Sequence, residues 1–145
     1  MLIKSVMTRT PVCCKPADTV DKVAKLMLDH DCGEIPVCDG PRLVGVITDR
    51  DITCRAVATG KDPADVQAGE IMTRHVFTVF ETDAIDVALE LMEDRLVRRL
   101  PVLGDDGKVV GIVSQADLMA RVPTLKVAQA MRTVSKRTRK ATAAL

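Results

Sequence analysis

The chain has 145 residues, 47% hydrophobic and 28% charged, with a formal net charge of +1. That length fits one domain of ordinary size, able to bury a core without disulfides or metal, and the composition excludes a disordered chain. No apolar run approaches the roughly 18–20 residues of a membrane span, and Lys4, Thr8 and Arg9 interrupt any secretory h-region. A cytoplasmic protein with no membrane partner is therefore expected.

Aromatics are two Phe, with no Tyr or Trp. Proteins that grip single strands stack bases on aromatic rings, so that class is weakened. Cys13, Cys14, Cys32, Cys38 and Cys54 make an odd count without a C-x-x-C pair. Reduced, mostly buried thiols are expected, and no metal site. Arg121 to Leu145 carries seven Lys or Arg and no acid, which leaves the first 120 residues with 14 basic and 20 acidic side chains. The tail is basic and the body acidic. Such a tail is a solvated end or an arm for nucleic acid or another polyanion.

In chain order, a short strand is expected over 12–15. An amphipathic helix follows from the Asp18-Thr19 cap to about Asp29, with Val20, Val23, Ala24, Met27 and Leu28 as its apolar stripe. Strands over 35–38 and 43–48, joined at Asp39-Gly40-Pro41, read as a hairpin. A second helix covers 50–59, and a polar stretch with Gly60 and Pro63 reads as a linker. The order then returns: a strand over 76–80, and a helix from the Thr82-Asp83 cap to about Asp94, with Ile85, Ala88, Leu89 and Met92 inward. Strands over 100–103 and 109–114 and a helix over 116–121 complete the second copy. A docked helix over 122–134 and a frayed end beyond Ser135 close the chain.

The return is a true repeat. Val6-Met7-Thr8-Arg9 recurs as Ile71-Met72-Thr73-Arg74, and Ile35-Pro36-Val37 as Leu100-Pro101-Val102, both 65 residues later. Gly45-Val46-Ile47-Thr48 recurs as Gly111-Ile112-Val113-Ser114, 66 residues later, with Asp51 matched by Asp117. The extra residue falls in a turn, where insertions are tolerated. The fold class is α/β of the α+β type: two β-α-β-β-α repeats packed with pseudo-twofold symmetry, plus a basic helical tail. The segments are 1–60, a linker 61–68, 69–121 and a tail 122–145. A cleft between halves would present two related sites.

Thr48-x-x-Asp51 and Ser114-x-x-Asp117 each join a strand end to a helix start. Two readings stand side by side. The pair is a capping box that satisfies the first N–H groups of a helix. Or its carboxylate accepts from both hydroxyls of a ribose, as acidic residues do in dinucleotide folds, with the helix N-terminus favouring a phosphate nearby.

The duplicated Met-Thr lead-in, the h-P-V strand and the G-h-h-T/S-x-x-D ending resemble the CBS domain, and two in tandem resemble a Bateman module. The likeness spans about residues 3–121. Thr48-Asp49-Arg50-Asp51-Ile52 and Val97-Arg98-Arg99-Leu100-Pro101-Val102 are also similar to small stand-alone bacterial CBS pairs of the hypoxic response protein type. The resemblance implies a non-catalytic regulatory module that requires no cofactor. It would bind AMP, ADP or ATP between its repeats, or NAD or S-adenosylmethionine. It also implies a homodimer and a separate protein effector.

Carried onto this chain, one site pairs Thr48 and Asp51 with Thr78, Arg98 and Arg99. The other pairs Ser114 and Asp117 with Cys13, and there Gly33 and Glu34 replace the arginines. Two arginines supply charge and bidentate donors to a phosphate, whereas a glutamate repels it, so the first site is expected to hold nucleotides more tightly. Arg50 either assists or faces solvent. An enzyme is not expected: His30 and His75 flank no recognisable nucleophile, and there is no Walker loop or G-x-S-x-G elbow. Cys13-Cys14 is the one suggestive redox pair, with Lys15 its only basic neighbour in sequence. Nucleic-acid binding through the tail is the remaining alternative, and nucleic acid is the less expected partner.

Overall fold

Apolar residues three and four apart place Val20, Val23 and Met27 on one side of α1 (Val20–Asp29), and all three are buried. This is the computed structural model of the chain, and it describes residues 1–9, 12–122 and 125–143. Leu28, read as part of the stripe, is instead 78% exposed, and Leu26 packs against the core in its place. The hairpin forms as expected, from β2 (Glu34–Asp39) and β3 (Arg42–Thr48), turning at Gly40 with φ +59°. α2 (Asp49–Ile52) continues into a π-helical turn, Thr53–Val57, so the expected single helix changes pitch part-way. α3 (Ala68–Ile71) completes this unit, Thr10–Val76.

The other unit is Met1–Arg9 with Phe77–Leu145. It begins with a 3-10 turn, Ile3–Ser5, and β1 (Thr8–Arg9). It continues with β4 (Val79–Phe80), α4 (Ile85–Arg95), β5 (Arg99–Leu103), β6 (Val109–Ser114), α5 (Gln115–Arg121) and α6 (Leu125–Ala143). Its sheet order is β1-β6-β5-β4, with β4 parallel to β5 and the other pairs antiparallel. α6 is helical past Ser135, where fraying was expected, and buries Val127, Ala130, Met131 and Val134. The side chains of the tail beyond Lys136 lie outside the described residues.

These units do not coincide with the repeats, because each Met-Thr lead-in packs with the other repeat. Ala68 donates its N–H to Asp18 O at 2.7 Å and Val20 to Val66 O at 2.8 Å, while Thr73 and Val46 exchange bonds of 2.8 and 3.0 Å. The same pattern recurs with Ile3 donating to Asp83 O at 2.9 Å, Ile85 donating to Met1 O at 3.1 Å, and Thr8 opposite Ile112. Val66 and Ala68, inside the stretch read as linker, are consequently core residues.

The expected side-chain caps of α1 and α4 are corrected by this arrangement. Thr19 and Ala84 are the N-caps and neither makes a side-chain cap bond. Main-chain carbonyls of the lead-ins take the N–H groups of Val20 and Ile85 instead. Asp18 and Asp83 close the preceding turns, each accepting at 2.8 Å, from Lys15 N–H and Phe80 N–H. The Lys15 N–H and then the Lys22 ammonium hold the Asp18 carboxyl below its ordinary range. The strand expected over 12–15 shrinks to one parallel bridge, Cys14 with Val37, and that over 76–80 to Val79–Phe80. Pro16, which cannot donate to a ladder, ends the first.

Candidate functional site

Thr48 ends β3 in extended conformation and is the N-cap of α2. Its hydroxyl accepts from Asp51 N–H at 3.1 Å, and its own N–H donates to Asp51 Oδ2 at 3.0 Å. The reciprocal box satisfies two orphan donors. Asp51 is buried, and Thr73 Oγ1 donates to the same Oδ2 at 3.4 Å. Among the described residues the nearest donor to Oδ1 is Arg55 Nε at 3.7 Å. One carboxylate oxygen therefore holds the cap, and the other has no short bond.

Ser114 and Asp117 repeat this geometry in the other unit. Asp117 Oδ2 accepts from Ser114 N–H at 2.8 Å and from its hydroxyl at 2.6 Å, and Asp117 N–H donates to Ser114 Oγ at 3.2 Å. Thr8 Oγ1 donates to Oδ1 at 3.4 Å. The structure thus joins both predicted hydroxyl–carboxylate pairs, and the cap reading is correct as far as it goes. Thr73 and Thr8 were missed as neighbours of the two carboxylates. Their signal was the duplicated Met-Thr, whose partner strand could not be read locally.

Arg50 lies in the first turn of α2 and is exposed. Cys13 is in the same unit as Thr48. Thr78, Arg98 and Arg99 belong to the unit of Ser114. The hairpin register sets Arg99 opposite Ser114, and Glu34 opposite Thr48. Gln115 N–H donates to Arg98 O at 2.8 Å, and Asp49 N–H to Gly33 O at 3.1 Å. Within its own unit, each motif therefore lies beside a junction of different charge, arginine in one and glutamate in the other.

None of the five cysteines is in a disulfide. Burial pushes the Cys13 thiol up to about 12, and Cys38 adds to the shift through its charge and a side-chain hydrogen bond. Burial pushes Cys14 up to about 12 as well, with Asp18 next in importance. Both thiols stay protonated at neutral pH, which works against the redox reading of the pair. Of the five thiols only Cys14 is buried, against the mostly buried set expected, and Cys13 and Cys54 are both exposed. Native alkylation near neutral pH, mapped by mass spectrometry, should therefore reach Cys54 before Cys13, whose thiol is held protonated, and Cys14 last. Labelling of Cys13 as fast as in the unfolded chain would contradict this. Unfolded thiols ionise near 9 and these near 12, so the stability they hold is intact below pH 9 and lost as pH rises from about 9 to 12.

Among the described residues, no three His, Cys, Asp or Glu side chains are gathered as a metal ion needs, and no helix is long and apolar enough to cross a membrane.

The family model of the CBS domain matches residues 3–56 and again 68–124. The chain belongs to the CBS-domain family. As a CBS pair it carries the duplicated architecture of regulatory ligand-binding modules. It is 33% identical to hypoxic response protein 1 of Mycobacterium tuberculosis over 132 residues, 90% of this chain and 92% of that one. It is 34% identical to the CBS domain-containing protein YhcV of Bacillus subtilis over 116 residues, 80% of this chain and 81% of that one. Among solved structures, hypoxic response protein I with two coordinated zinc ions matches at TM-score 0.76 and 35% identity, covering 85% of this chain and all of that one. The CBS pair of protein MJ0100, in complex with 5′-methylthioadenosine and S-adenosyl-L-methionine, matches at TM-score 0.74 and 30% identity, covering 83% of this chain and 94% of that one.

Proposed function

We propose that this CBS pair is a non-catalytic sensor of adenosine-containing metabolites, with AMP, ADP and ATP the leading ligands. Asp51 with Thr48, and Asp117 with Ser114, take the ribose hydroxyls. Arg98 and Arg99 take the phosphate, Thr78 and Cys13 flank the base, and Arg50 assists. A protein effector reads the change, and the sensor works as a homodimer. The observation that carries this reading is the pair of capping carboxylates, each with one oxygen engaged by the cap and the other without a short bond. A vicinal diol donates two hydrogen bonds, and a carboxylate oxygen accepts them with the added strength of its charge.

S-adenosylmethionine is a second reading, favoured by the MJ0100 complex at 30% identity. NAD would use the same ribose grip. The arginine pair separates these ligands by phosphate.

Calorimetric titration with AMP and with adenosine tests the assignment. Replacing both Arg98 and Arg99 by Ala should weaken AMP by about tenfold or more, the scale of one lost charge-assisted bond, and leave adenosine unchanged. Equal losses for the two ligands would remove the arginines from the phosphate. Binding of no adenosyl ligand by the unaltered protein would overturn the reading as a whole.

A further inference from the structure

Arg55 sits in the π-helical turn, four residues after Asp51 and half exposed. Its guanidinium touches three groups. Nη1 donates to Ile71 O at 2.9 Å and to Thr73 Oγ1 at 3.4 Å, and Nε stands 3.7 Å from Asp51 Oδ1. One cation thus spans the carboxylate and the Met-Thr lead-in that packs on it. π-helical turns of this kind recur at functional sites, because the added residue re-aims a side chain.

The second unit makes the comparison. Arg121 holds the same place, four residues after Asp117, but on the regular helix α5. Its Nη1 reaches Ser5 O, at 3.5 Å, while Thr8 Oγ1 faces Asp117 Oδ1. The oxygen left over by the cap therefore meets a guanidinium at Asp51 and a neutral hydroxyl at Asp117.

The geometry points to Arg55 as a positioning residue that sets the affinity of the Asp51 site by competing with the ligand's ribose for Oδ1. This inference rests on the ribose reading of Asp51 given above. A diol that donates to Oδ1 must share it with the guanidinium or displace it. A half-exposed ion pair is worth only a fraction of a hydrogen-bonded, buried one, so the competition is a modulation and not a block. Among the described residues no cation is paired with Asp117. The two sites then differ in affinity for the same nucleoside, whatever its phosphates.

The test is calorimetric titration with 5′-methylthioadenosine, which has no phosphate for Arg55 to hold. Arg55→Met should tighten one class of site about two- to fivefold, the range that a pair of this exposure spans. Arg55→Lys keeps the charge but not the fork, and should lie between Arg55→Met and wild type. Arg121→Met should leave both sites unchanged. A merely structural role for Arg55 would lower stability without tightening binding. Unchanged or weaker binding in Arg55→Met and Arg55→Lys, with one class of site weakened in Asp51→Asn, overturns the role of Arg55 alone. Absence of binding in every variant and in the wild type overturns the ribose reading and this inference with it.

Discussion

Gly111→Ala should unfold far below the wild-type temperature, and Gly45→Ala should lose less. A Cβ on Gly111 would lie 2.6 Å from the main-chain oxygen of Thr8 and 2.8 Å from Met7 Sδ. The Thr8 oxygen belongs to β1, which is paired with β6, so it cannot swing aside without breaking that pairing. On Gly45 the nearest atom is Met72 Sδ at 2.6 Å, a flexible thioether, with Thr73 O at 3.0 Å behind it. Overpacking costs about 1–3 kcal/mol and sometimes more. Gly111→Ala belongs at or above the upper end, roughly a 10 °C fall for a chain of this size, and Gly45→Ala near the lower end. Circular dichroism must report it, since the chain has no Trp or Tyr. A wild-type midpoint for Gly111→Ala would mean that the Met-Thr lead-in is not seated on β6.

Asp51→Asn should keep the fold and weaken binding at its own site. Asparagine retains one acceptor oxygen, which can still take the Thr48 N–H that Asp51 Oδ2 takes at 3.0 Å. Its amide then presents a donor where the ribose hydroxyls also donate. Loss of one hydrogen bond to a charged group is worth about 1.5–3 kcal/mol, so affinity should fall by roughly ten- to a hundredfold, with little change in the unliganded midpoint. Asp51→Ala confounds the two effects, because it also strips the cap at a cost of about 1 kcal/mol. If Asp51→Asn binds normally, Asp51 is a helix cap and nothing more.

Much of the fold was legible because its signals were local. The hairpin of β2 and β3 followed from alternation and a turn glycine, and α1 and α4 from apolar spacing. The capping boxes were legible as S/T-x-x-D. What stayed hidden needed a partner distant in sequence. Asp18 and Asp83 read as helix caps, yet the helix ends are satisfied by Val66 O and Met1 O. Gly45 and Gly111 were visible as repeated glycines, but their reason is the methionine and the strand that cross them. Thr8 and Thr73 escaped notice beside the carboxylates for the same reason, whereas Arg55, only four residues after Asp51, carried a local i,i+4 signal.

The most direct test of the sensor reading is thermal unfolding with and without AMP, ADP, ATP, NAD and S-adenosylmethionine, on the wild type and on Asp51→Asn with Asp117→Asn. A ligand at about 100 times its dissociation constant adds roughly 2.7 kcal/mol, or about 5–10 °C here. A rise of that size is expected with an adenosyl ligand in the wild type, and its loss in the double variant. No rise with any of the five, or an equal rise in the double variant, would contradict the sensor reading.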